Sequence, residues 1–346
     1  MRILLISNAY PSKEKKFSGI FVKNQFEELK LLVDGEVEIF AMRREFTSGF
    51  KSIIKYLKFY FSFTPYIFKK FDVIHLHFLS PLILLPAFYK LLYPKTRVVL
   101  TLHGSDINML KKGMELNLYN RLKTCIDFTI AVGKEVAKNA ISKLNLNVDS
   151  ILPVGVNNHV FYPNLKSKSI KQYDFIFVGS FLSVKGIDVL YSAIKKLPKS
   201  FSFCIVGRGE KYEKKLSLLK KEGYNLTLFV DLNQEELRGE YSKSYFLVAP
   251  SRSEGFSTVV VEAMYSGIPV LGSNIPQFKE QIDVGFNGYL FDVDNTDALV
   301  EILQRMKRLN SDAYNDLKNG ALHSFKDISL SNVCLNLYQI YKRIIS

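Results

Sequence analysis

The sequence has no tryptophan and only three cysteines in 346 residues. Cys125, Cys204 and Cys334 are odd in number and far apart. They spell neither a disulfide framework nor a metal knuckle, and they fit a reducing compartment. Long hydrophobic runs are also lacking. A membrane-spanning helix needs ~20 apolar residues, whereas the longest candidate, Phe78 to Tyr89, is about a dozen residues long and carries Pro81 and Pro86. The apolar stretch after Arg2 runs only from Ile3 to Ile6, too short for the core of a signal peptide. There is no short-period repeat and no low-complexity tract. The remaining composition, 47% hydrophobic and 23% charged, is ordinary globular usage and excludes disorder and collagen. Two domains are expected at this length.

Acidic residues are scarce in one half only. Residues 1–170 hold 25 Lys and Arg against 13 Asp and Glu, whereas residues 171–346 hold 22 against 20. The net charge of +14 therefore belongs almost wholly to the first half. Within residues 42–71, Arg43, Arg44, Lys51, Lys55, Lys58, Lys69 and Lys70 face Glu45 alone, and ten aromatics are interleaved, among them Phe50, Tyr56, Phe59, Phe61, Phe63, Tyr66 and Phe68. Rings that bury at the headgroup boundary beside cations that meet anionic lipid describe an interfacial segment. The alternative is a solvated helix whose aromatics pack into the core. Nucleic acid is not expected, because no zinc-finger, KH or RNP-like pattern accompanies the charge.

Short apolar runs alternate with helical patterns throughout. Arg2–Ser7, Val37–Ala41, Val73–His77, Val98–Leu102, Phe128–Val132 and Ser150–Pro153 read as strands in the first half. Asp174–Val178, Ser202–Val206, Leu226–Val230, Phe246–Ala249, Pro269–Leu271 and Tyr289–Phe291 do so in the second. Continuous Val, Ile and Leu runs mark parallel strands buried on both faces. The expectation is an α/β chain of two doubly wound domains, residues 1–165 and 172–329, with a linker near 163–172 and a last helix over 330–346 that could pack on either domain. Open sheets of this kind bind ligands at the loops after the strands, in a cleft.

Those loops carry the chemistry-bearing residues. After one strand come Pro250 to Gly255 and a helix opening near Ser257, whose first-turn N–H groups suit a phosphate. Glu254 lies in the loop mouth and Glu262 one to two turns into the helix, placed to grip two parts of an elongated ligand such as a sugar and a ribose. Gly179 to Gly186 forms a second strand-to-helix loop. Gly179 permits close backbone approach there, and Lys185 offers a point charge for a phosphate at a helix start, where a cation alone is unfavourable. Val206-Gly207-Arg208-Gly209-Glu210 fails as a dinucleotide fingerprint, since Tyr212 stands where the last glycine belongs. Arg208 either reaches the cleft or is simply exposed. In the first half, His103 follows a strand and can donate to a hydroxyl or phosphate, or relay a proton; a buried, satisfied histidine is the alternative. His75 and His77 point to one face of their strand, but no carboxylate or cysteine spacing makes a metal site with them. Gly19 opens another helix beside the cleft.

Taken in order, these segments resemble the retaining glycosyltransferases of family 4, which have the GT-B fold. The likeness runs through Ser18-Gly19-Ile20-Phe21-Val22-Lys23-Asn24-Gln25, the T-x-H-G-x-D pattern of Thr101 to Asp106, Pro153-Val154-Gly155-Val156 with Phe161 and Pro163, Gly179 to Gly186, and the paired Glu254 and Glu262 followed by Gly267-Ile268-Pro269-Val270. The resemblance implies an NDP-sugar donor held by the second domain. Glu262 would bind the ribose, and Glu254 with Gly255, Phe256 and Ser257 the sugar. Lys185 would bind the diphosphate beside Gly179 and Ser180, with Gly19 approaching from the first domain. His103 would contact the sugar near the reacting face, so that His103, Glu254 and Lys185 form the catalytic set. It also implies no enzyme nucleophile, and an acceptor that is a glycan or lipid-linked glycan near the basic aromatic segment, on the inner face of a bacterial cell membrane.

Two positions depart from the family pattern. Ser180 replaces an arginine, for which Arg208 or Arg252 could compensate, and Val154 replaces an asparagine. Asp292-Val293-Asp294 spells D-x-D but follows a late strand and reads as a helix-capping surface loop; no metal or other cofactor is expected. Three rival functions are an NDP-sugar epimerase of the same fold, a non-catalytic basic membrane-binding protein, and a glycoside hydrolase. The first would need no acceptor, and the second would leave the loop motifs idle. The third needs two carboxyls flanking one bond, ~5–9.5 Å apart.

Overall fold

A computed structural model describes residues 1–12, 18–42, 57–109, 114–162 and 170–346. The chain forms two compact units, Met1–Gly155 with Leu330–Ser346, and Val156–Ser329. Each is built on one parallel sheet, and all twelve strand runs read from the sequence are present with ends shifted by up to a few residues. The first unit contains β1 (Arg2–Ser7), β2 (Glu36–Ala41), β3 (Val73–His77), β4 (Arg97–Leu102), β5 (Phe128–Ala131) and β6 (Ser150–Ile151), in the order β2-β1-β3-β4-β5-β6. The second contains β7 (Tyr173–Val178), β8 (Phe203–Val206), β9 (Leu226–Phe229), β10 (Ser244–Ala249), β11 (Val270–Ser273) and β12 (Gly288–Phe291), in the order β12-β11-β10-β7-β8-β9.

The strand period of two divides the apolar side chains of the second unit between two cores. Phe175, Phe177, Ile205, Phe246 and Val248 enter one, with Leu190 and Leu303 from the covering helices. Ile176, Cys204, Val206, Leu247 and Ala249 enter the other, with Val260, Val261 and Met264. Both faces are covered, which is why these strands read as continuous apolar runs rather than alternating ones.

The division between the units differs from the expected one. Val156 and Phe161 are fully or nearly fully buried in a core of the second unit, and Val156 donates to Ile328 O at 3.0 Å and bridges to Ser329. Apolar packing therefore draws residues 156–162 out of the expected 1–165 domain. Residues 163–169, most of the expected linker, lie outside the described residues; Gln172 already bonds to Lys243 O at 2.8 Å.

The last helix, Leu330–Ile345, belongs to the first unit. Leu330, Cys334, Leu337 and Tyr341 recur at helical spacing and form one stripe against Ile3, Leu5, Val73 and Val99. The Tyr341 hydroxyl reaches His75 Nδ1 at 2.5 Å, and His75 Nε2 meets Thr101 Oγ1 at 2.7 Å. The helix is thus tied into the sheet by a polar contact as well as by packing.

The basic aromatic segment splits between its two readings. Residues 43–56, with Arg43, Arg44, Lys51, Lys55, Phe50 and Tyr56, lie outside the described residues. Of the remainder, Phe63 is buried and packs beside Phe40 and Tyr66, and the Phe59 ring packs tilted against Phe40 with centroids 4.3 Å apart. Phe61 and Phe68, by contrast, are 76% and 81% exposed, and Leu91 of the helix Leu84–Leu92 is 79% exposed. Among the described residues no helix is long and apolar enough to cross a membrane.

Replacing Tyr341 by Phe leaves one buried nitrogen of His75 without its partner, at a cost of roughly 1–3 kcal/mol. A urea titration of the whole chain should show a lower unfolding midpoint for this variant. An unchanged midpoint would mean that apolar packing alone docks the last helix.

Candidate active site

In the second sheet the chain leaves β7 toward β8 on one side, and β10 leads to β11 on the other. Loops after these two neighbouring strands diverge, which opens a crevice at their carboxyl ends. The loops in question are 179–186 after β7 and 250–257 after β10. The structure staples them together. Arg252 donates its backbone N–H to Val184 O at 2.9 Å, and its guanidinium grips Asp188 through two bonds of 2.8 Å each. Asp294 adds a third carboxylate contact at 2.6 Å. Gly186 has φ +66°, and a Cβ there would lie 1.8 Å from Pro250 O, so the close approach of the two loops requires glycine.

Inside this frame Lys185 Nζ contacts both oxygens of Glu254, at 2.8 and 2.7 Å, while Ser251 Oγ donates to Oε1 at 2.7 Å. The Glu254 side chain is 9% exposed and Lys185 is 32% exposed. The two charges assigned to separate roles thus form one partly buried ion pair, and its inner member is fixed by a third bond. A Cβ at Gly179 would make only ordinary contacts, with the Phe177 ring and the Lys185 stem at 3.6 and 3.9 Å. Ser180 is exposed beside it.

The helix Thr258–Tyr265 begins where expected, with Ser257 at its N-cap, but the Ser257 side chain makes no capping bond. Nor do side chains cap the helices Ile187–Lys196 and Glu210–Lys221, which follow β7 and β8. The helices Gln234–Ser242, Thr296–Lys307 and Ser311–Ser324 of the same unit are capped by Asn233, Asn295 and Asn310. First-turn N–H groups without a capping side chain thus collect around the crevice, where they can bind an anion. Gly255 and Phe256 bring the chain to that helix and are partly buried.

Glu262, one turn further on, is half-buried. Its carboxylate has no hydrogen-bond or ion-pair partner among the described residues, and desolvation pushes its pKa up to about 8. A desolvated acceptor without donors is suited to the paired hydroxyls of a ribose.

Arg208 comes close through its backbone, since Phe181 donates to Arg208 O at 2.8 Å. Its guanidinium, however, is ion-paired with Asp231. Neither Arg208 nor Arg252 is an idle substitute for the arginine replaced by Ser180, because each is engaged by carboxylates of its own unit. The D-x-D segment also differs from expectation. Asn295 caps the helix that follows, and Asp294, at φ +61°, serves to hold Arg252.

In the first unit, Gly19 caps the helix Ile20–Leu32 at φ +66°; a Cβ there would lie 2.3 Å from Ala9 O. His103 follows β4 and is 9% exposed. Its ring packs on Phe78 and Phe21, with centroids 4.3 and 4.8 Å away, and its Nε2 faces His77 Nδ1 at 3.2 Å. Desolvation holds the imidazole well below its ordinary pKa, so it is neutral.

Sequence reasoning gave no role to Asp106. Buried, it accepts from Leu79 N at 2.9 Å, from His103 N at 3.2 Å and from Ile107 N at 3.1 Å, and so ties the loops after β3 and β4 together. Its place at the end of the T-x-H-G-x-D segment was the available signal. Asp188 carried no such signal, since its partner Arg252 is distant in sequence.

Comparison with known proteins agrees with this geometry. Residues 21–158 match the model of Glycosyltransferase Family 4, and residues 163–323 that of Glycosyl transferases group 1. An uncharacterized glycosyltransferase of Methanocaldococcus jannaschii is 28% identical over 277 residues, covering 79% of this chain and 76% of that protein. The O-antigen biosynthesis glycosyltransferase WclY of Escherichia coli is 27% identical over 258 residues, covering 69% and 71%. HepE of Anabaena, crystallised with UDP-glucose, superposes with a TM-score of 0.73 at 15% identity, over 99% of this chain and 100% of that one.

Because the folded protein raises the Glu262 pKa toward 8, it binds a proton more tightly there than the unfolded chain does. The carboxyl therefore costs stability as pH rises from about 4.5 through about 8. Glu262→Gln cannot ionise. Its melting temperature should equal that of the wild type near pH 4.5 and exceed it increasingly toward pH 8. Parallel profiles for the two proteins would place the carboxyl in solvent.

Proposed function

Because this chain belongs to the group 1, family 4 glycosyltransferases of the GT-B fold, we propose that it moves a sugar from an NDP-sugar to a hydroxyl of a lipid-linked or growing surface glycan, with retention of configuration. The observation that carries the reading is the Lys185–Glu254 pair, held beside uncapped helix N-termini at the switch point of the second sheet. The donor diphosphate lies against the Lys185 ammonium and the first-turn N–H groups of Thr258–Tyr265. Glu254 and the backbone of Gly255 to Ser257 hold the sugar, and the Glu262 carboxyl, which has no partner among the described residues, bonds the ribose hydroxyls and is favoured to ionise as they donate to it.

During transfer the bond from the anomeric carbon to the phosphate oxygen breaks as the acceptor oxygen bonds to the same face of that carbon. The acceptor proton passes to the leaving phosphate oxygen. Negative charge grows on the diphosphate, and Lys185 with the helix N–H groups stabilises it without reorganising, because Glu254 already holds the ammonium in place. These donors supply the positive charge that a metal ion supplies elsewhere, so no metal takes part. His103 offers a neutral hydrogen bond to a substrate hydroxyl.

The acceptor class is suggested by the surface-glycan role in the name of the relative WclY and by the surface of the first unit. Exposed Phe61, Phe68, Phe88 and Leu91 lie with Lys58 and Lys70 on the segment around 57–70 and the helix Leu84–Leu92. Such a surface seats the protein on an anionic leaflet, at ~1 kcal/mol per basic residue near the surface.

With EDTA present, one NDP-sugar from a panel should raise the melting temperature of the wild type and leave Glu262→Ala unmoved. A hundredfold excess over the dissociation constant corresponds to ~2.7 kcal/mol. A panel in which no NDP-sugar shifts or is turned over would overturn the donor assignment and bring the non-catalytic, membrane-binding function forward. In vesicle flotation, anionic liposomes should recover more protein than neutral ones, and Phe61→Glu with Phe68→Glu should lower that recovery. Equal recovery by both lipids would remove the electrostatic anchor.

A further inference from the structure

The transfer mechanism leaves two buried histidines unused. His75 and His77 alternate along β3, so both rings lie on one face and stack with centroids 4.4 Å apart. The His77 and His103 rings lie 5.5 Å apart at 28°. Burial keeps all three neutral: it lowers His77 to about 3 and holds His75 and His103 well below the ordinary range. A neutral imidazole has one donor and one acceptor nitrogen, so a single hydrogen bond settles the tautomer of both partners.

His77 Nδ1 and His103 Nε2 are 3.2 Å apart, and one must donate to the other. The other nitrogen of His77, Nε2, is buried with no partner. If His103 donated, the His77 proton would sit on Nε2 as an orphaned buried N–H. Such groups are rarer in folded proteins than unsatisfied acceptors. If His77 donates, the orphan is only a lone pair. We propose that His77 is a positioning residue that donates from Nδ1 to His103 Nε2, and thereby fixes the His103 proton on Nδ1 as a hydrogen-bond donor to a substrate oxygen. His103 Nδ1 has no partner among the described residues, as a donor kept for a ligand requires. His75, held at both nitrogens by Tyr341 and Thr101, backs the His77 ring. The functional half of this inference rests on the sugar-transfer reading; the tautomer does not.

The chain has five histidines, so long-range proton–nitrogen spectra of histidine-labelled protein can resolve each ring. No substrate is needed. We expect His77 and His103 both protonated at Nδ1. His77→Leu should abolish the preference at His103 and lower kcat about tenfold or more, with the donor KM nearly unchanged. His77→Asn, whose amide nitrogen stands near the lost Nδ1, should restore both. A wild-type His103 protonated at Nε2 overturns the proposal, and so does a His77→Leu protein with unaltered His103 tautomer or unaltered kcat. The wild-type spectrum decides the tautomer even if His77→Leu fails to fold. A wild type that transfers no sugar from any NDP-sugar would strike the transferase reading and leave the tautomer assignment standing.

Discussion

Two loops separated by about seventy residues of sequence have to share one small space above β7 and β10, and the second unit depends on how that is achieved. The contact is electrostatic at both ends. Arg252 is clamped by Asp188 and Asp294, and Lys185 by Glu254. An isolated exposed ion pair contributes little to stability. Here the pairs are partly buried, bidentate or bonded to a third group, and they sit on glycine backbones that let the chains touch. Their consequence is positional: the ammonium, the carboxylate and the helix N-termini are held in one arrangement before any ligand arrives.

The first unit meets the same requirement by different means. Among the described residues it has no comparable ion pair around His103. Instead, stacked imidazoles, an aromatic wall of Phe21 and Phe78, and the buried Asp106 fix the loops after β3 and β4. Asp106 is unfavourable to ionise in this place, since burial pushes its carboxyl up and only backbone N–H groups oppose the shift. Phe78, with φ +68°, holds a backbone conformation that bulky residues rarely adopt. A buried carboxyl with no cation beside it among the described residues and a strained aromatic in adjacent loops mark a region where fold stability has yielded to the placement of one side chain.

Both units are therefore ordinary doubly wound sheets whose unusual features collect at the carboxyl ends of their central strands. Two helices away from the paired loops, Gln234–Ser242 and Ser311–Ser324, have ordinary asparagine caps.

Strands, helices and the loops that join them were legible in the sequence, because they depend on local pattern. Apolar runs of strand length between helical stretches name a buried parallel sheet, and the glycines, lysine and paired glutamates stand at fixed offsets after those strands. Pairing was not legible. Nothing in the sequence says that Lys185 meets Glu254, that Arg252 is occupied by Asp188 and Asp294, or that Arg208 turns to Asp231, since each partner is distant along the chain and becomes near only through strand order. The boundary at Gly155–Val156 was hidden for a related reason. A polar stretch marks where a chain can cross, but Val156 and Phe161 follow the apolar surface that buries them. Local pattern thus determined which residues stand at the ends of the strands. Tertiary packing decided which charges are spent on one another and which side chain, Glu262, is desolvated without a partner among the described residues, because burial and pairing depend on what the fold brings near.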